Sequence, residues 1–188
     1  MKVTSRETYK VMRAILERKR FTQYEISKTE KVTFSLVNRV VNWLLGAGYV
    51  AKRKGYYELT APAAIFGLFS IYRKMKPFAS YEVKLEQKEA QKLLKGSAAL
   101  CLNSALSHYD GYYRDPVVYA YALDEKLEHV LKALPKGYAR IELYKEDLNA
   151  EDIVKKGQWK TSKIRTAIDL FCANRAYAAE RLVKKEWV

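Results

Sequence analysis

The sequence predicts an α+β protein in two parts: a mainly helical part with a short hairpin over residues 1–77, and a small-sheet α+β part over 78–188. Three observations carry this. Within Ser35–Leu45, Val37, Val40, Val41, Leu44 and Leu45 recur at helical spacing, so they form one buried stripe. Directly after it, Tyr49-Val50-Ala51-Lys52 and Tyr56-Tyr57-Glu58-Leu59 flank Arg53-Lys54-Gly55, the pattern of two strands around a basic glycine turn. Beyond Pro77, strand-like runs (Tyr81, Val83 and Leu85 in alternation, then Val117–Leu123) are interleaved with helical stretches.

Taken in order, Thr4 or Ser5 caps a first helix running to about Lys19, with Tyr9, Met12, Ile15 and Leu16 inward. Phe21 and Thr22 connect to a short helix at Tyr24–Ser27, expected to pack through Tyr24 and Ile26. Lys28–Val32 is a turn, and Thr33 caps the next helix with Phe34 packed beneath it. Gly46 and Gly48 end that helix, because glycine tolerates the left-handed conformation of a C-terminal cap. Pro62 opens a helix to about Lys76 whose apolar residues run nearly all round, suited to joining the two parts or to meeting a second copy.

Pro77 stops that helix. Ala79–Glu86 follows as a half-exposed strand, Gln87–Leu94 as a short helix, and Ala98–Tyr109 as a helix of small residues. Val117–Leu123 is a buried strand, Asp124 caps a helix to about Leu134, and Ala139–Tyr144 is another strand. Asp147–Val154 reads as a helical stretch. Thr161-Ser162 caps one long last helix, Lys163 to about Lys185.

Composition bounds the function. The 49% hydrophobic and 30% charged content fits a folded globular protein with one or two cores. No apolar run approaches the ~20 residues of a membrane span, and Met1–Lys10 lacks the apolar core of a signal peptide, so no membrane contact and a cytoplasmic location are expected. Cys101 and Cys172 are far apart and read as packed thiols. His108 and His129 lack partners at metal spacing, and no phosphate-loop or hydrolase motif occurs, so no cofactor is expected. The net charge of +14 is unevenly placed: 16 Lys/Arg against 5 Asp/Glu through Pro77 leave +11, and 19 against 16 beyond it leave +3. A cationic excess confined to one part suits a phosphate backbone as partner.

Helix, turn, helix and basic hairpin, with the exit Leu-Leu-Gly-Ala-Gly-Tyr-Val-Ala-Lys-Arg, resemble a winged helix-turn-helix DNA-binding domain across Ser5–Pro62. The resemblance implies a regulator of transcription on double-stranded DNA, acting as a homodimer on two half-sites. Ser35, Asn38 and Arg39 lie on the face opposite the apolar stripe and are the expected base readers, since Arg pairs with guanine and Asn with adenine through two bonds each. Asn42, a turn further on, is expected to touch phosphate or nothing, and Thr33 is placed at the cap. Lys31, Lys52, Arg53 and Lys54 are expected to position the duplex without specifying sequence.

The second part carries two resemblances. Gly96-Ser97 before an expected helix resembles the opening of the nucleotidyltransferase fold, which would hold phosphates there. The following strand Val117–Leu123 carries no acid, so metal-assisted transfer is not expected and the chain is read as a non-enzyme, with a nucleic-acid-processing enzyme or RNA-binding factor as the alternative. Arg165-Thr166-Ala167-Ile168-Asp169-Leu170 resembles a stretch in the antitoxin domain of AbiE-type toxin–antitoxin systems, which join a winged helix to an inactive nucleotidyltransferase-like domain. That resemblance implies autoregulation, a toxin or other protein as partner, and partner-binding roles for Arg165 and Asp169. The plain alternative for those two is an i, i+4 helix pair worth a few tenths of a kcal/mol.

Overall fold

The computed structural model describes residues 2–111, 115–148 and 159–187, and it is α+β. The N-terminal part comprises α1 (Arg6–Arg18), β1 (Arg20–Phe21), α2 (Gln23–Glu30), α3 (Phe34–Gly46), β2 (Val50–Arg53), β3 (Tyr56–Leu59) and α4 (Pro62–Tyr72). Its caps are those the side chains dictate. Ser5 Oγ accepts from the Thr8 amide and Thr33 Oγ1 from the Leu36 amide. Thr22 and Glu25 form a reciprocal capping box at the start of α2. Gly48, with φ +75°, turns the chain out of α3 into β2, and Gly55, with φ +86°, supplies the left-handed residue of the hairpin turn.

Three features here escaped the sequence pattern. Arg20–Phe21 is a third strand, pairing antiparallel with β3 so that the sheet order is β1-β3-β2. The helix expected over four residues is α2, twice as long, and it packs through Ile26 alone while Tyr24 stays 63% exposed. Phe34 is also on the surface, half exposed at the open end of α3, because the buried stripe begins only at Val37.

The second part adds β4 (Ala79–Val83), α5 (Gln87–Leu93), β5 (Ala98–Leu100), α6 (Leu102–Leu106), β6 (Val117–Ala122), α7 (Leu127–Ala133), β7 (Ala139–Tyr144), α8 (Lys163–Cys172) and α9 (Ala176–Trp187). Its sheet has the order β4-β7-β6-β5, with β6 and β7 parallel and both outer pairs antiparallel. Both faces are covered. Val118 and Ala120 of β6 and Ile141 and Leu143 of β7 pack with α5 and α7, whereas Tyr119 and Tyr121 point to the side of α4 and α8. A strand buried on both faces loses polar alternation, which is why Val117–Leu123 reads as a continuous apolar run.

The small-residue segment Ala98–Tyr109 is a strand followed by a short helix, not one helix. Ala98–Leu100 joins β6 on one side, and the Leu100 amide bonds the Trp159 carbonyl on the other, so a sheet edge outcompetes the helix that alanine and leucine favour. Between strand and helix, Leu102 takes φ +47°. The expected last helix breaks at Asn174, whose φ of +57° turns the chain between α8 and α9. Of the stretch expected as helical at 147–154, Asp147 and Leu148 are outside any helix and the rest lies outside the described residues.

The two parts meet through α1 and α4, which lie against α8 and α9 in one continuous apolar core. Phe66 of α4 contacts Phe171 (ring centroids 5.6 Å apart) and Trp187 (5.2 Å). The Trp187 indole donates to the Leu16 carbonyl at 2.7 Å, satisfying one of the acceptors that the end of α1 leaves unpaired. In contrast, α3 packs on α1, α2 and β2. Its polar face therefore points away from the second part. Among the described residues no helix is long and apolar enough to cross a membrane.

Candidate nucleic-acid interface

The α3 stripe of Val37, Val40, Val41 and Leu44 is fully buried, so the opposite face must project outward. Ser35, Asn38, Arg39 and Asn42 are all exposed there, with Thr33 at the cap and Lys31 just before it. Lys31 ends α2 in a left-handed conformation, φ +53°. Lys52, Arg53 and Lys54 are exposed at the end of the β2–β3 hairpin. Among the described residues, the side chains of Lys31, Ser35, Arg39, Lys52 and Lys54 have no hydrogen-bond or ion-pair partner in the chain. An exposed guanidinium and three ammonium groups without internal partners are available to an external anion.

Arg53 is the exception. Its Nε lies 3.1 Å from Glu58 Oε2, and Arg20 Nε lies 3.1 Å from Glu58 Oε1 on the neighbouring strand. The hydrogen bonds from Arg53 and then Arg20 hold the Glu58 carboxyl below its ordinary range. One carboxylate thus ties down Arg53 of the hairpin and Arg20 of β1. Glu58 has no counterpart in the sequence expectation, because β1 was needed to bring Arg20 opposite it.

Asn38 is also engaged. Its Oδ1 accepts from Gln23 Nε2 at 3.2 Å and from Asn42 Nδ2 at 3.2 Å. Gln23 Nε2 lies 3.4 Å from the Tyr57 hydroxyl as well, and the Tyr57 ring is stacked on Phe21 with centroids 5.8 Å apart. The first residue of α2, the polar face of α3 and the middle of β3 are therefore linked by one amide. Neither Gln23 nor Tyr57 stands out in the sequence: Gln23 precedes the expected helix, and Tyr57 is one of 15 tyrosines.

Arg165 and Asp169 lie elsewhere, and both side chains are 0% exposed. Arg165 Nε bonds Asp169 Oδ1 at 2.9 Å, and Arg73, which caps the C-terminal end of α4, reaches the same oxygen through Nη1 at 2.8 Å. Tyr121 accepts from Arg73 Nη2 at 2.8 Å and from Arg165 Nη2 at 2.9 Å. Asp147, at the outer edge, accepts from Arg73 Nε at 2.6 Å and from Arg165 Nη2 at 3.2 Å. Burial by itself would lower the Arg73 pKa, but Asp169, Tyr121 and Asp147 outweigh it and raise the value. The resemblance implied that Arg165 and Asp169 face a partner. They instead hold α4, β6 and α8 together inside this chain and offer no atom to a molecule docking on its surface. The i, i+4 pair is formed, but it is buried, so the few tenths of a kcal/mol of an exposed helix pair do not measure it.

Gly96-Ser97 lies in the turn between α5 and β5, not at a helix N-terminus, so the amide cradle implied for phosphate is not formed there. Among the described residues no group of three His, Cys, Asp or Glu side chains is placed to hold a metal ion. Comparison of the chain with protein-family models, curated proteins and solved structures finds no match.

Proposed function

We propose that this chain is a sequence-specific double-stranded DNA-binding regulator of the winged helix-turn-helix type, with α3 as the recognition helix and the β2–β3 hairpin as the wing. The observation that carries the reading is the exposure of Ser35, Asn38, Arg39 and Asn42 on one face of α3, turned away from the second part. A face covered by the chain's own C-terminal half would have excluded the reading. The charge supports it, since the +11 of residues 1–77 accompanies that face while the remainder is close to neutral. In this reading Arg39 pairs with guanine, the wing lysines contact phosphates, and the regulator binds two half-sites as a dimer.

The narrower antitoxin-like, autoregulatory role rests on the order of the two parts and the Arg165–Leu170 stretch. Because that stretch is interior, a toxin or other partner would have to dock on a different surface of the second part. The cytoplasm is the compartment that fits a DNA regulator.

The direct experiment is titration of a fluorescent duplex library with the full chain over a series of salt concentrations, followed by sequencing of the retained duplexes. Selective retention with an inverse dependence on salt supports the reading. Absence of duplex binding at low ionic strength defeats it.

A further inference from the structure

We propose that Gln23 and Asn42 hold Asn38 as a donor-only reading head, so that the base it selects is guanine and not adenine. The inference rests on the DNA-binding reading above and specifies what that surface reads. A side-chain amide oxygen has two lone pairs. Those of Asn38 are both occupied, by Gln23 Nε2 and Asn42 Nδ2, each at 3.2 Å. What Asn38 has left for a partner is its amide nitrogen with two N–H groups.

Adenine recognition by asparagine needs both halves of the amide: an acceptor for the N6 amino group and a donor for N7. Guanine presents two acceptors in the major groove, N7 and O6, which a donor-only group satisfies without disturbing the network. Reading adenine would require breaking one of the two internal hydrogen bonds. It would leave Gln23 or Asn42 to find another acceptor. Arg39, next along the helix, also favours guanine, so a run of adjacent guanines is the expected core of each half-site.

The orientation is set by the fold. Gln23 is the first residue of α2, fixed by the Thr22–Glu25 capping box, and its amide nitrogen is shared with the Tyr57 hydroxyl on the wing strand at 3.4 Å. Gln23 and Asn42 are thus positioning residues: they act on the base through Asn38. Tyr57 ties the same amide to the wing, so a shift of the wing relative to α3 changes the group that turns Asn38.

The experiment is selection of duplexes from a randomised library by the full chain, in the wild type and in three variants. Asn38→Ala identifies the position Asn38 reads, as the one whose preference collapses. At that position the wild type is expected to retain guanine. The Gln23→Ala/Asn42→Ala double variant frees both lone pairs and should shift the guanine-to-adenine ratio about tenfold or more toward adenine. Gln23→Glu keeps the side chain's size but replaces the donor by an acceptor. It should turn the Asn38 oxygen outward, toward bases that present an amino group, adenine and cytosine. Asn38 and Asn42 are exposed and Gln23 is half-buried, and circular dichroism melts check that the variants fold. A wild type that retains adenine or cytosine at the Asn38 position overturns the inference while leaving the DNA-binding reading intact, as does a double variant that keeps its guanine. A wild type that retains no duplex removes both.

Discussion

Arg73→Ala is the perturbation with the largest effect expected on stability. Arg73 is 5% exposed and its guanidinium makes four hydrogen bonds, one to Asp169, one to Tyr121 and two to Asp147, at 2.6–2.9 Å. Removing it leaves Asp169 fully buried with Arg165 as its remaining cation, and Asp169 Oδ2 already has no hydrogen-bond partner. Loss of one member of a buried pair destabilises by about 3–5 kcal/mol, because the charge left behind is desolvated without compensation. For a chain of this length that corresponds to a fall in Tm of roughly 6–20 °C. Asp147→Asn supplies the contrast. Its side chain is 45% exposed, so water replaces much of what is lost and the expected cost is about 1 kcal/mol.

Urea unfolding of wild type, Arg73→Ala, Asp169→Asn and the double variant, closed as a thermodynamic cycle, isolates the pair. The double variant should be less destabilised than the sum of the singles, since removing both charges leaves no orphan ion between them. An Arg73→Ala cost below about 1 kcal/mol, or strict additivity with Asp169→Asn, would refute the reasoning that this cluster joins α4 to α8.

Arg39→Ala should weaken binding to the selected duplex by about 1–3 kcal/mol while changing affinity for random duplex much less, measured by competition titration. Lys52→Ala/Lys54→Ala should weaken both equally and reduce the slope of log K against log salt by about 2. Glu58→Gln should tighten binding to all duplexes and steepen that slope, because it removes a negative charge from the β2–β3 hairpin and frees Arg20 and Arg53. The same release is expected on acidification: Glu58 titrates below its ordinary 4.5, so its ion pairs are complete above that value and are lost as pH falls through the lower folded value. An NMR titration of the Glu58 carboxyl checks the direction. Gly137→Ala should destabilise by about 1–3 kcal/mol in a thermal melt, since the added Cβ would stand 2.4 Å from the Lys84 backbone Cα.

Local chemistry made much of this molecule legible. The valine–leucine stripe of α3, the Ser5, Thr33 and Ser162 caps, the glycine turn of the β2–β3 hairpin and the outward face of Ser35, Asn38, Arg39 and Asn42 all follow from side chains within one or two turns of each other. Such features depend on helix periodicity and on nearby donors and acceptors, which sequence displays directly. The cationic bias of residues 1–77 is likewise a property of composition.

What the sequence could not settle depends on which distant segments arrive. Ala98–Leu100 is a strand because β6 and the Trp159 carbonyl offer hydrogen bonds from either side. Arg20 and Glu58 are paired because β1 aligns with β3. The Asn38 amide is polarised by Gln23, from another helix, as well as by Asn42 on its own. Arg165 and Asp169 show the division most plainly. Their spacing announced an ion pair, but α4 and β6 bury it and add Arg73 and Tyr121 to it. Burial changes a surface pair worth tenths of a kcal/mol into a cluster whose disruption costs several, and burial is decided by tertiary packing alone.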